Sequence, residues 1–253
     1  MKKFMLICLC ALFVSMPLSE AEAVSNKPIN WGFAKSKEHR PPDAGKELTA
    51  LLKKYDAFYL GNTTRKRKEI YFTFDNGYEN GYTPKILDVL KKKHQVPGTF
   101  FFVTGHFVKD QPGLVKRMAE EGHIIGNHSY HHPDLTTKST KEIKEELDRV
   151  NEDVYKITGK QDNLYLRPPR GVFSERVLKE TKQLGYQTVF WSVAFVDWHI
   201  HHQKGKQYAY DQMMKQAHPG AIYLLHTVSR DNAEALDDAI TAEKKNKDIP
   251  LKV

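Results

Sequence analysis

The chain has 253 residues, enough to bury a sizeable core in one large domain or two small ones. Its 39 Lys and Arg outnumber 31 Asp and Glu, giving a net charge of +8, with the lysines spread over amphipathic stretches rather than clustered. That distribution argues against a nucleic-acid partner and suits an anionic wall or surface polymer.

The N-terminus reads as an export signal. Lys2 and Lys3 give a positive start, residues 4–18 an apolar stretch, and Ala21-Glu22-Ala23 a small-x-small cleavage site. An apolar run of about 15 residues is short of the roughly 20 that span a bilayer, so the expectation is cleavage after Ala23 and no remaining membrane span. Cleavage removes two Lys and two Glu, so the net charge stays at +8. It also removes Cys8 and Cys10, the only cysteines, so the exported chain forms no disulfide and builds any metal site from His, Asp or Glu.

Residues 24–68 read as an N-terminal arm, Asn30-Trp31-Gly32-Phe33 and Arg40-Pro41-Pro42-Asp43, followed by a short helix over 45–54. From Glu69 onward short apolar runs alternate with amphipathic helices. Strands are predicted at 70–74, 99–103, 124–126, 165–166, 188–192 and 221–225. Thr83-Pro84 starts one intervening helix, with the proline in its first turn. Pro112 starts another, which Gly122 closes. Ser139-x-x-Glu142 is a capping box, followed by Ile143, Leu147, Val150, Val154 and Ile157 at helical spacing, and Gly159 ends that helix. Repeated strand–helix units predict an α/β fold, most simply a distorted (β/α) barrel of about seven parallel strands. An open doubly wound sheet would carry a Gly-rich phosphate turn after its first strand, and none is present.

Polar residues gather where the predicted strands end. Asp75 and Asn76 follow the first, His128 and His132 another, Arg167 a third, and Asp197-Trp198 and His226 the last two. A parallel barrel brings such residues to one rim, where that fold builds active sites. A carboxylate in Asp75's place is a candidate base, and two histidines four apart at a strand exit can direct two imidazoles at one ion.

With these residues the chain resembles the polysaccharide deacetylases of the chitooligosaccharide-deacetylase homology group, over roughly residues 69–242. Five motifs match in order: Thr73-Phe-Asp-Asn-Gly77, His128-Ser-Tyr-His-His132, Arg167-Pro-Pro-Arg-Gly171, Ser192-Val-Ala-Phe-Val-Asp-Trp198 and Leu224-Leu-His226. Within the group, the Asp-Asn pair, the Arg-Pro-Pro-Arg-Gly string and residues 190–198 are most similar to the peptidoglycan N-acetylmuramic acid deacetylases of spore-forming bacilli, which make the muramic δ-lactam of spore cortex. The resemblance implies a secreted hydrolase removing N-acetyl groups from N-acetylmuramic acid. Its partner would be peptidoglycan glycan strands, and its location the cell wall, the forespore intermembrane space or the medium. A monomer is expected. The resemblance assigns Asp75 as general base, Arg167 as the residue orienting it, His226 as general acid and Asp197 as its support. His128 and His132 would hold a divalent ion such as zinc or cobalt, and Trp198 would line the sugar groove.

The chain departs from the family pattern in three ways. A metal-binding Asp usually follows the base, whereas here Asn76 offers a neutral amide oxygen, so the ion is expected to be weakly held or absent. The family also closes with a further short strand and helix, whereas residues 243–253 form a polar tail, which leaves barrel closure open. Arg170 stands where most of the family has an aromatic residue. A cation there can meet the lactyl carboxylate that muramic acid alone carries, which favours muramic acid over the alternative substrate, N-acetylglucosamine of peptidoglycan or chitin. An alternative of another class is a non-catalytic wall-binding homologue disabled through Asn76 and the short tail.

Overall fold

The computed structural model describes residues 24–35, 38–63, 69–96, 98–160 and 164–245. The predicted export segment, with Cys8 and Cys10, and residues 246–253 of the polar tail lie outside them. Among the described residues no helix is long and apolar enough to cross a membrane.

The strands are β1 (Ile29–Asn30), β2 (Ala57–Phe58), β3 (Tyr71–Asn76), β4 (Phe100–Val103), β5 (Ile124–Asn127), β6 (Tyr165–Leu166), β7 (Val172–Phe173), β8 (Gln187–Val189), β9 (Val193–Ala194) and β10 (Ile222–His226). The helices are α1 (Lys46–Lys54), α2 (Thr83–Asp88), α3 (Gly105–Asp110), α4 (Pro112–Glu120), α5 (Thr140–Thr158), α6 (Glu175–Gln183), α7 (Lys206–Gln216) and α8 (Arg230–Lys245). Among the described residues eight strands form one sheet in the order β2-β8-β6-β5-β4-β3-β10-β9, and every pairing between them is parallel. This is the distorted (β/α) barrel that the repeated units predict.

Closure of the barrel has a local cause. The predicted strand at 188–192 is two strands in the structure, because the chain changes partners midway. β8 pairs with β6 and β2, and Phe190 N donates to Phe58 O at 2.7 Å. Ser192 N then donates to Ile222 O at 2.9 Å, and β9 pairs with β10. One segment therefore touches both flanks of the sheet and brings it round on itself. Counted once, it leaves seven strand positions out of the eight-stranded sheet. An antiparallel bridge between Leu60 and Ala221 joins the same flanks at the other end. Among the described residues, closure of the sheet thus comes from this internal segment.

Alternation along β3 sorts the core. Phe72 and Phe74 face the helices and pack with Ile86, Leu90, Phe101 and Leu225. Tyr71, Thr73 and Asp75 face the barrel interior, where Tyr71 packs with Phe102, Val189 and Ile222, and Thr73 and Asp75 meet Arg167. This is the two-residue period of a strand with both faces covered. Asn76, the last residue of β3, is 0% exposed.

The helix signals in the sequence hold in detail. Ser139 and Glu142 form both halves of a capping box, and Gly159 caps α5 in the left-handed conformation at φ 68. Pro84 and Pro112 sit in the first turns of α2 and α4. Sequence periodicity does not disclose that α2 continues as a π-helical turn over Val89–His94. The arm docks through β1, antiparallel to β7, and Trp31 stacks on Phe190 with centroids 4.8 Å apart. Trp31 Nε1 donates to Trp191 O at 3.0 Å, so the arm braces the segment that closes the barrel.

Candidate active site

Every residue singled out at a predicted strand end reaches the same rim. Asp75 and Asn76 end β3, His128 follows β5, Arg167 follows β6, Asp197 and Trp198 lie beyond β9, and His226 ends β10. A cavity of about 590 Å³ opens there, lined by Asp75, His128, His132, Arg170, Trp198 and His226, together with Tyr78 and His106. A second cavity of about 400 Å³ is lined by Phe58, Tyr71, Thr73, Phe100, Tyr165 and Ile222, and none of the rim's Asp, His or Arg side chains reaches it.

Arg167 fixes one side of the rim. It is 0% exposed, and its Nη1 donates to Asp75 Oδ1 at 2.7 Å and its Nη2 to Thr73 Oγ1 at 2.8 Å. Nε donates to Val189 O at 3.1 Å, and the guanidinium lies 4.1 Å from the centroid of the Phe102 ring. A buried cation satisfied on this many sides has one orientation available. Burial pushes the Asp75 carboxyl upward, but the Arg167 charge, joined by His128 and His226, outweighs it and holds the group below its usual range. Asp75 is therefore an anion near neutral pH, with Oδ1 committed to Arg167 and Oδ2 3.4 Å from His128 Nε2.

The histidine pair is built for a lone-pair role. His128 Nδ1 lies 2.8 Å from Arg167 O, and a carbonyl only accepts, so Nδ1 carries the proton and Nε2 the free lone pair. Burial lowers the His128 pKa, and lowers that of His132 to about 4, so both rings are neutral near pH 7. Their centroids are 4.8 Å apart, with His132 presented from a left-handed backbone at φ 57. Asn76 Nδ2 donates to Thr227 Oγ1 at 2.7 Å, which leaves its buried Oδ1 without a partner among the described residues. Two imidazole nitrogens and one orphaned amide oxygen fit a borderline divalent cation, with less ligand charge than a carboxylate would give. Among the described residues no group of three His, Cys, Asp or Glu is placed to hold a metal ion.

The other side of the rim is a His–Asp pair. His226 Nδ1 lies 2.7 Å from Asp197 Oδ1, and the His226 backbone N–H donates to Oδ2 at 2.8 Å. Burial alone would lower the His226 pKa, but the Asp197 charge and hydrogen bond outweigh it, so the value is raised. Trp198 is 43% exposed and meets His226 edge-on, its ring centroid 5.5 Å away. Arg170 sits in a tight turn at φ 58, where the next residue, Gly171, is also left-handed and a Cβ would meet Trp191 at 2.6 Å. Its side chain is 59% exposed, with Nη2 3.8 Å from Asp134 Oδ2. The rim therefore presents a proton acceptor, a proton donor, a lone-pair cluster and an exposed cation around one cavity.

Three residues here escape sequence reasoning. Tyr78, 52% exposed, follows the first motif directly, and its aromatic character beside Asp75 is the signal that could have found it. His106 reaches the rim from α3, a helix of six residues too short to show a period. Asn232, in the first turn of α8, donates to Asp197 Oδ2 and lies in no motif.

Residues 62–189 match the polysaccharide deacetylase family. The chain is 76% identical over 245 residues to the peptidoglycan-N-acetylmuramic acid deacetylase PdaA of Bacillus subtilis, covering 97% of this chain and 92% of that protein. The solved structure of that family 4 carbohydrate esterase superposes with a TM-score of 0.86, covering 90% of this chain and 95% of the other. A family 4 carbohydrate esterase from Bacillus anthracis, 52% identical, superposes with a TM-score of 0.72 over 87% of this chain and 91% of the other. The peptidoglycan-N-acetylglucosamine deacetylase PgdA of Listeria monocytogenes is 37% identical over 180 residues, which are 71% of this chain and 37% of that protein.

Proposed function

This chain belongs to the polysaccharide deacetylase family, hydrolases acting on amide bonds, and on that premise we propose that it removes the N-acetyl group of N-acetylmuramic acid in peptidoglycan. The observation that carries the reading is the placement of two groups on one cavity, Asp75 fixed by Arg167 and His226 fixed by Asp197. Asp75 is held below the usual carboxylate range and His226 above the usual imidazole value. A base and an acid pushed apart in this way are in their working protonation states together near neutral pH.

Asp75 Oδ2 takes a proton from water as the water oxygen bonds to the acetamide carbon. Arg167 keeps the carboxylate ionised and aimed. As the C–N bond breaks, its electron pair passes to nitrogen, and His226 Nε2 gives that nitrogen a proton, with Asp197 balancing the imidazolium. Acetate and the free sugar amine are the products. Deacetylases of this family are generally metal-dependent. His128, His132 and Asn76 would hold a divalent ion, which when bound polarises water and the acetyl oxygen. Trp198 offers a flat apolar face to a pyranose ring.

Arg170 supports the choice of muramic acid, since its exposed guanidinium lines the cavity and suits a lactyl carboxylate, which N-acetylglucosamine lacks. The freed amine stands beside that lactyl carboxyl on the product, so ring closure to the muramic δ-lactam of spore cortex is the natural sequel. A substrate outside the cell membrane agrees with export through residues 1–23 and with a catalytic unit over 69–242 preceded by an arm. The test is turnover on matched oligomers of the two amino sugars. A kcat/KM favouring muramic acid strands supports the reading, and equal or better turnover of N-acetylglucosamine oligomers overturns it.

A further inference from the structure

Three N–H donors converge on the carboxylate of Asp197. His226 supplies Nδ1 at 2.7 Å and its backbone N at 2.8 Å, and Asn232 supplies Nδ2 at 2.5 Å. The first two belong to the acid itself, while the third comes from α8, an element with no other place in the chemistry. Resting on the acid reading above, we propose that Asn232 is a positioning residue for leaving-group protonation: it locks Asp197, which in turn locks the His226 ring.

The orientation of the Asn232 amide follows from its surroundings. Nδ2 also lies 3.3 Å from His226 O, so the NH₂ group faces two acceptors, and a flipped amide would set its oxygen against both. Its Oδ1 is buried without a partner among the described residues, and the whole residue is 0% exposed. An apolar side chain would fill this space and leave no orphaned carbonyl. The amide is costly as packing, and its contribution is the pair of hydrogens it offers.

The start of α8 is tied to the loop that carries Asp197 at several further points. Asn232 N donates to Ser229 Oγ, whose hydroxyl donates to Gln203 Oε1, and Gln203 Nε2 donates to the Asp197 and His199 carbonyls. Asp231 Oδ2 accepts from Gly205 N at 2.5 Å. The Asp197 side chain is thus referenced to a helix of 16 residues rather than to its own loop alone. Without the Asn232 donor, Oδ2 keeps only the His226 backbone N–H, and the carboxylate is free to turn about its stem. The imidazole, still bonded to Oδ1, then follows a looser carboxylate and loses part of its aim. Water attack is spared, because Asp75 is held independently by Arg167.

This difference between the two steps gives the test. Breaking the acetamide C–N bond needs a proton on nitrogen, whereas 4-nitrophenyl acetate releases a stabilised phenolate that leaves without one. Turnover of both substrates is compared for the parent, Asn232→Leu, Asn232→Ala and, as reference, His226→Ala. The Asn232 variants are expected to lose roughly tenfold in kcat on glycan strands with KM little moved, a part of what general acid catalysis supplies. Their amide-to-ester ratio falls in the same direction as in His226→Ala. The two replacements differ in bulk, so a packing fault in one is exposed by the other and by its melting temperature. Equal losses on amide and ester in both Asn232 variants, while His226→Ala still separates the substrates, would overturn the inference and leave Asn232 a structural residue. If His226→Ala itself fails to separate them, the acid reading falls and the role of Asn232 falls with it.

Discussion

Replacing Arg170 by Tyr probes specificity without touching the reacting groups. The side chain leaves a tight turn three residues after Arg167, lines the cavity and approaches one carboxylate, Asp134, at 3.8 Å. A bidentate charge-assisted contact with a lactyl carboxylate is worth about 1.5–3 kcal/mol when shielded. The Arg170 side chain is 59% exposed, so solvent screening puts the expected loss at the lower end. About 1.4 kcal/mol corresponds to about tenfold in kcat/KM on muramic acid strands. The loss should shrink as salt rises, because exposed charges are screened within about 10 Å at 0.1 M. N-Acetylglucosamine oligomers, which present no carboxylate, should be hydrolysed as well as before or better. The assay is acetate release from matched oligomers of each sugar at two ionic strengths. Equal losses on both substrates would refute the reasoning and make Arg170 a support of its loop. The left-handed backbone at φ 58 is the reason to check folding first, since Tyr tolerates it less well than Asn or Gly.

Three further outcomes follow from the same geometry. With two imidazoles and a neutral amide oxygen as the proposed donors, and no group of three His, Cys, Asp or Glu among the described residues, divalent ions should bind weakly and leave on chelation. Asn76→Asp should tighten them measurably by calorimetry, and a stoichiometric ion that survives chelator and dialysis would contradict the donor set. The raised His226 pKa places the protonated acid below that value, so activity should fall as pH rises through it; His226→Ala should lose this alkaline limb, and an unchanged profile would assign the proton to another group. Glu243 on α8 is 1% exposed, neither carboxylate oxygen has a partner among the described residues, and burial raises its pKa from 4.5 to about 7. The folded chain then keeps a proton that the unfolded chain releases, so stability should decline between those pH values by about 3 kcal/mol. Urea unfolding at pH 5 and pH 8 should show that decline in the parent and a smaller one in Glu243→Gln.

The rim was legible in the sequence because each of its residues interrupts an apolar run at the point where a parallel strand ends. Asp75 breaks Ile70-Tyr-Phe-Thr-Phe, and His226 breaks Ile222-Tyr-Leu-Leu, so a strand reading and a chemical reading converge on the same position. What stayed hidden depends on contacts between distant segments. The split between β8 and β9 arises from a change of partner, from Phe58 on one flank to Ile222 on the other, and residues 187–194 alone do not record it. The two-residue strands β1 and β7 are too short for any alternation to show. Asn232 looks like an ordinary polar residue at a helix start, and only the return of α8 onto the loop after β9 brings it to Asp197. Asn76 was legible as a departure from a pattern, while the orphaned Oδ1 that gives it meaning is visible only once Thr227 takes its amide hydrogens.

In the proposed function Asp75 and His226 together remove acetyl groups from muramic acid. Defined peptidoglycan strands incubated with the parent protein and with Asp75→Asn, then read by mass spectrometry, test it most directly. The parent should convert muramic acid residues to the free amine and leave glucosamine residues acetylated. Asp75→Asn, unable to accept a proton from water but keeping the shape of the side chain, should be slower by on the order of 10²–10⁴-fold with its fold intact. Acetyl loss from glucosamine, or a variant within a few-fold of the parent, would contradict the account.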